Sequence, residues 1–283
     1  MPIFNRITII GPGLLGASLG KSLKERKICH KVMVWARREI ALKKCIQEDW
    51  CDEVTLSLER SLVDAELVVI CTPVNHIEEI LTKILPKINA GTLVTDVGSV
   101  KKSICEVALK LSGQSNGKFI GSHPMAGSEK SGMENADSEL FNGRSCIVTP
   151  LPSDSIEDVE RLEDFWQLLG MKVIQASPLE HDEIVASISH LPHLLASSFA
   201  EYLSRVPENW LAQAGQGLKD TTRVAEGDPL LWCEILKSNH NHISEALALW
   251  LDRVEHLRDL MNKEKWNEVS AYLERAAGCR RKY

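Results

Sequence analysis

Residues 7–20 read Ile7-Thr8-Ile9-Ile10-Gly11-Pro12-Gly13-Leu14-Leu15-Gly16-Ala17-Ser18-Leu19-Gly20, and this stretch decides the fold. A short β-branched apolar run stops at Gly11, and from Leu14 to Leu23 apolar and small residues recur at helical spacing. The chain therefore reads strand, tight turn, helix. Gly11, Gly13 and Gly16 form G-x-G-x-x-G in the turn, where glycine allows the bend, a close backbone approach to pyrophosphate, and tight packing of helix on strand. The helix start offers unpaired N–H groups and the positive end of its dipole to a phosphate. Glycine-rich turns also occur in proteins that bind no nucleotide; the position after the first strand of a βαβ series is what points to a dinucleotide. Gly11, Gly13, Leu14, Leu15 and Gly16 are the expected cofactor contacts, joined by Thr72 and Pro73 at the end of a later strand.

Outward from the turn, strands are expected over 31–36, 66–71 and 91–96, alternating with helices over 38–49, from Pro73 to about residue 85, and over 100–111. A further short strand, 118–121, precedes His123 and Pro124, which places His123 on the loop rim of the sheet. Such alternation implies βαβ units and a parallel sheet with right-handed crossovers. Strand-like runs at 145–149 and 172–175, separated by turn-rich PLPSDS and a helical 156–169, are expected to extend that sheet. From Pro178 strand signals cease, and amphipathic stretches over 180–203, 230–260 and 264–277 predict helices. The expected class is α/β: an N-terminal Rossmann dinucleotide-binding domain over 1–177, then an all-helical dimerisation and substrate domain over 178–283.

The composition suits two packed domains. The chain has 283 residues, 44% hydrophobic and 25% charged, enough apolar material for a sizeable core. A net charge of −6 gives no general attraction for nucleic acid. The eight cysteines have no CxxC pair or finger spacing, and His240 and His242 share no helical face, so no metal is expected. No signal-like run opens the chain and no apolar stretch approaches the ~20 residues that span a bilayer, so a cytoplasmic protein without membrane association is expected.

Where the second strand ends, an NAD enzyme usually places an acidic residue on the ribose hydroxyls. This chain has Ala36-Arg37-Arg38. Two guanidinium groups suit a 2′-phosphate, which favours NADP. The alternatives are a solvated helix start, with Glu39 offsetting the charge, or an arginine stacked on adenine in an NAD enzyme.

Four motifs follow in order: Gly98-Ser99-Val100-Lys101; Ser122-His123-Pro124-Met125-Ala126-Gly127-Ser128-Glu129; Ser189-His190-Leu191-Pro192-His193; and Lys219-Asp220-Thr221-Thr222-Arg223. With them the chain resembles the prephenate and arogenate dehydrogenases of tyrosine biosynthesis, from the first strand to at least Trp232. The resemblance implies oxidative decarboxylation. A hydride leaves the ring carbon bearing the hydroxyl, carbon dioxide departs, and aromatisation drives the reaction.

By that resemblance His123 takes the hydroxyl proton, and Ser99 hydrogen-bonds both His123 and the substrate hydroxyl. Imidazole suits the task because its unperturbed pKa, about 6.5, lies near working pH. Arg223 binds a substrate carboxylate, His193 contacts the substrate side chain, and Ser189 lies on the same helical face. Glu129 and Asp220 match acidic residues around the arginine, and Trp232 matches an aromatic residue that related dimers insert into the neighbouring site. Each residue type also has a bland reading: a helix cap for Ser99, a surface ion pair for Arg223, a core tryptophan for Trp232.

Prephenate is favoured because His193 could donate to the keto oxygen or side-chain carboxylate; arogenate, or both substrates, is the alternative. No chorismate mutase domain or regulatory appendage is expected. Rival readings are another dehydrogenase of the same architecture, or a non-enzymatic NADP-sensing module. The long apolar faces of the helical half predict a homodimer.

Overall fold

The computed structural model describes residues 3–127 and 132–282. Strands β1 (Phe4–Ile10), β2 (Cys29–Trp35), β3 (Glu53–Thr55), β4 (Leu67–Ile70), β5 (Leu93–Asp96) and β6 (Lys118–Phe119) alternate with helices α1 (Leu14–Glu25), α2 (Glu39–Gln47), α3 (Leu58–Leu62), α4 (Val74–Ile84) and α5 (Lys102–Leu111). The strands form a parallel sheet in the order β3-β2-β1-β4-β5-β6. This is the doubly wound arrangement of a Rossmann domain, with its order reversing between β1 and β4.

Both faces of the sheet are covered, which is why its strands read as continuous apolar runs. Leu67, Val69 and Leu93 turn to the layer holding Leu19 and Leu23 of α1; Val68, Ile70 and Val94 turn to the layer holding Ile77 and Leu81 of α4. Each such buried aliphatic side chain is worth about 1.5–3 kcal/mol.

At the last strand the structure departs from the sequence reading. After β6 the chain leaves the sheet, and β7 (Gly121–Pro124) opens a second one, paired antiparallel with β8 (Ser145–Thr149), which pairs parallel with β9 (Lys172–Gln175). His123 thus lies on a strand and not on a loop, and 145–149 and 172–175 do not extend the first sheet. Gly121 supplies the physical reason. A Cβ there would meet Thr149 Oγ1 at 2.5 Å and Lys101 Cδ at 3.1 Å, so only glycine lets β7 lie this close to its neighbours. Helix α6 (Ile156–Leu168), between β8 and β9, joins the layer beside α1, its Phe165 meeting Phe4 edge-on at 5.9 Å.

Helix α7 (Pro178–Val185) starts at a full capping box formed by Ser177 and Glu180. It runs into a π turn (Ala186–His190) and then α8 (Leu191–Leu203). Pro192 has no N–H to give the Ile188 carbonyl, and the helix widens where that bond is missing. Helices α9 (Glu208–Leu211), α10 (Gln216–Thr222) and α11 (Pro229–Ser238) follow, with a 3-10 turn (Arg223–Glu226) after α10. The expected helix over 230–260 is broken at Asn239, whose buried amide bonds to Asp182 O (2.7 Å) and His190 Nδ1 (3.2 Å).

The chain divides into two compact units at Asn239 and His240. The second unit is α12 (His240–Asn262) packed on α13 (Trp266–Arg280), with Leu249, Leu251, Val254, Trp266 and Leu273 exposed. Among the described residues no helix is long and apolar enough to cross a membrane.

Candidate active site

β1 delivers the chain to Gly11 at φ +100°, where a Cβ would meet Thr72 Cγ2 at 2.9 Å. At Gly16 a Cβ would sit 2.1 Å from Gly11 O, so α1 could not start this close to the turn with any larger residue. Gly13 differs: nothing lies within 4 Å of the position its Cβ would take. It is the N-cap of α1 and offers no side-chain bond to the first-turn N–H groups. Thr72 Oγ1 is buried and, among the described residues, without a partner. Gly11 follows β1 and Thr72 follows β4, so both lie at the switch point where such sheets take ligands. The open glycine, the uncapped helix and the orphan hydroxyl fit a dinucleotide pyrophosphate. Leu14 and Leu15 are half-buried in the first helical turn, and Pro73 is the exposed N-cap of α4. Arg37 and Arg38 are exposed beyond β2, and Glu39 pairs with Lys43 (3.0 Å) and not with either of them.

The chemistry centres on His123. Its Nδ1 lies 2.9 Å from His181 Nε2, and His181 Nδ1 lies 2.8 Å from Asp182 Oδ1. All three residues are buried. Burial works against the charged Asp182 carboxylate, but the bonds from His181, Lys101 N and Lys102 N outweigh it and hold its carboxyl below the usual range. Burial pushes His181 down despite its bond to Asp182. It pushes His123 well down, reinforced by His181, Lys101 and His190.

The proton positions follow from these charges. An ionised Asp182 only accepts, so neutral His181 donates from Nδ1 and accepts at Nε2. His123 must then donate from Nδ1, which leaves the lone pair of Nε2 as its basic site.

Asp182 is also the cap of α5, accepting from Lys101 N (2.8 Å) and Lys102 N (3.1 Å). Behind it, Asp96 at the end of β5 accepts from Gly98 N (2.8 Å), Ser122 N (3.3 Å) and the ammonium of Lys101. Ser122 Oγ donates to Asp96 O (2.7 Å). Ser99 is half-buried on the turn between β5 and α5. Among the described residues no hydrogen bond joins it to His123; the orienting partner at Nδ1 is His181.

From the helical side, His193 stacks on Trp232 at 3.5 Å and 6°, and His190 meets the same indole edge-on at 6.2 Å. Gly227 makes room, since a Cβ there would meet Trp232 Nε1 at 2.5 Å. Burial lowers the His193 imidazole despite a bond to the Val224 backbone, in the turn that carries Arg223. His193 Nδ1 and His190 Nε2 are buried without a partner among the described residues. Ser189 is half-buried, Arg223 is exposed, and exposed Asp220 accepts from Gln216 Nε2 at 2.8 Å. Glu129 lies outside the described residues. No cluster of three metal-ligating side chains occurs among the described residues.

Sequence reasoning missed His181, Asp182, Asp96, Lys101 and Asn239. One signal was available: His181 and Asp182 occupy, with Val185, the helix face that must be buried if α7 packs at all.

The nucleotide-binding domain model of prephenate dehydrogenase matches residues 19–175, and the dimerization domain model of prephenate dehydrogenase matches 177–275. Prephenate dehydrogenase of Lactococcus lactis subsp. cremoris is 31% identical over 95% of this chain and 75% of its own. A crystal structure of prephenate dehydrogenase from Aquifex aeolicus, in complex with hydroxyphenyl propionate and NAD+, superposes with a TM-score of 0.89 at 29% identity, covering 98% of this chain and 97% of that one. Synechocystis arogenate dehydrogenase superposes at 0.84 with 30% identity, covering 98% and 99%.

Proposed function

We propose that this chain, which belongs to the prephenate dehydrogenase family, oxidatively decarboxylates prephenate to 4-hydroxyphenylpyruvate with NADP. The observation that carries the reading is the buried chain Asp182–His181–His123, which ends in a neutral imidazole with its lone pair on Nε2.

The nicotinamide, when bound, accepts the hydride from the ring carbon that bears the hydroxyl. His123 Nε2 takes the hydroxyl proton as that hydride leaves, and Asp182, through His181, stabilises the imidazolium that forms. When carbon dioxide departs, the ring electrons reach the oxygen as a phenolate, and His123 returns the proton to it. The substrate loses a hydride and carbon dioxide overall, and no proton is released. Ser99 is assigned to the substrate hydroxyl, Arg223 to a carboxylate, His193 and Ser189 to the side chain, and Trp232 to closure over His193. Asp220 and, from the sequence, Glu129 are assigned to the ionic surroundings of Arg223. These roles make residues 1–177 the cofactor domain and 178–283 the substrate and dimerisation domain, and the exposed apolar face of α12 and α13 supports a homodimer.

Arg37 and Arg38 favour NADP, because both are exposed beyond β2, where a 2′-phosphate would come, and the neighbouring Glu39 pairs with Lys43 instead. One observation favours arogenate as the second reading. With its N–H given to the Val224 carbonyl, neutral His193 presents an acceptor at Nδ1, which suits an ammonium better than a keto oxygen. Initial rates of NADP and NAD reduction with prephenate and arogenate separately test the reading. Reduction with prephenate and NADP is expected. Turnover of arogenate alone selects the second substrate, and turnover of neither, by a folded cofactor-binding protein, overturns both.

A further inference from the structure

We infer that the buried Asp96–Lys101 ion pair is a positioning device for the base: it clamps the turn carrying Ser99 to the strand carrying His123, and it tunes the charge around the relay. Both side chains are fully buried. A buried ion pair is a poor means of adding stability, because desolvation offsets the attraction and apolar residues of similar shape do as well. Its placement is therefore the informative fact.

Lys101 is the node of the assembly. Its ammonium bonds Asp96, its stem passes over Gly121, and its backbone N–H bonds Asp182 Oδ1 at 2.8 Å. Asp96 reaches three ways. It accepts from Gly98 N beside Ser99, from Ser122 N beside His123, and from Lys101 itself. A Cβ at Gly98 would come within 2.8 Å of Asp96 Oδ2, so the carboxylate is seated against the turn it holds. One ion pair thus joins the ends of β5, the start of α5 and β7, and through Asp182 it touches α7.

The pair also acts at a distance. The groups facing His123 are His181 and Asp182 on α7, Lys101 at the start of α5, His190 on the π turn, and the Cys146 thiol of β8, which burial keeps protonated. Of these, the Lys101 cation opposes an imidazolium at both His123 and His181, while Asp96 favours one at His181. Removing the Lys101 cation should raise both rings and removing Asp96 should lower His181, an opposition that no loss of packing would produce.

The inference rests on the proposed role of His123, and its test does not depend on the substrate. Imidazole titration of His123 and His181 by NMR in the cofactor-bound enzyme is the first readout, and the acid limb of kcat/KM is the second. Lys101→Met is expected to raise the His123 titration, and Asp96→Asn to lower that of His181, each by about one pH unit. The acid limb should follow His123 upward in Lys101→Met. Shifts of the same sign, or none, in variants that bind cofactor normally overturn the inference. If a single variant does not fold, Asp96→Asn combined with Lys101→Met removes both charges and keeps the shape. That double variant should lose kcat about tenfold or more through misplacement while cofactor affinity holds, and a wild-type kcat overturns the inference. If the opposite NMR shifts occur but the wild type turns over neither prephenate nor arogenate, only the substrate assignment fails.

Discussion

The glycine turn is built from sequence neighbours, whereas the base relay joins residues 58 apart. In the turn, Gly11, Gly13 and Gly16 act through what they lack. Two of them are filled by the protein's own backbone and side chains, and the third is left open. In the relay, Asp182, His181 and His123 act through what burial does to them. The same imidazole in water would be half protonated near neutrality, whereas here desolvation keeps it neutral. Cofactor binding therefore depends on local backbone shape, and proton transfer on long-range packing. The two regions should be separable by mutation.

The largest effect falls on the relay's end. His123→Asn should lower kcat by about 10³-fold, the usual worth of a general base, with cofactor affinity unchanged in a binding titration. If affinity falls in step with kcat, the two regions are not separable. Asp182→Asn replaces the anion that fixes both tautomers, and kcat should fall about a hundredfold, again without loss of cofactor.

The same burial sets a pH signature. Because the folded His123 lies below its ordinary value, kcat/KM should hold as pH falls through about 6.5 and drop only when the lowered value is crossed. An acid limb at or above that value in the wild type would mean the imidazole is not desolvated as described.

The turn gives smaller and opposite signatures. Gly13→Ala should weaken cofactor binding about tenfold with no change in Tm, since the added methyl meets only the space left for pyrophosphate. A fall in Tm with unchanged affinity would make that space structural. Equal in size but confined to one cofactor is the pair Arg37→Ala and Arg38→Ala, which should raise the KM for NADP by about tenfold, the worth of one charge-assisted hydrogen bond, and leave NAD alone. Equal effects on both cofactors would return these arginines to a solvated helix start.

How much was legible in the sequence follows the same division. The strand-turn-helix at residues 4–25 and four of the parallel strands around it are written in contiguous apolar runs and glycines, so periodicity finds them. The switch of β7 into a second sheet is not, because nothing in Gly121 to Pro124 says which partner its N–H groups will choose; that depends on Thr149 and Lys101 closing over Gly121. The three-residue β3 and the five-residue α3 are too short for a period to register. His123 was visible through its motif, but its partners were not. His181 and Asp182 are polar residues at core-facing positions, where a pattern of apolar spacing sees a gap and only the folded contact shows a relay.

The most direct test of the relay is the ¹⁵N spectrum of His123 and His181 in the cofactor-bound enzyme at neutral pH. Both imidazoles should be neutral, each protonated at Nδ1 and bare at Nε2. A proton on His123 Nε2, or an imidazolium at either ring, would contradict the account, because the nitrogen meant to receive the substrate proton would already be occupied.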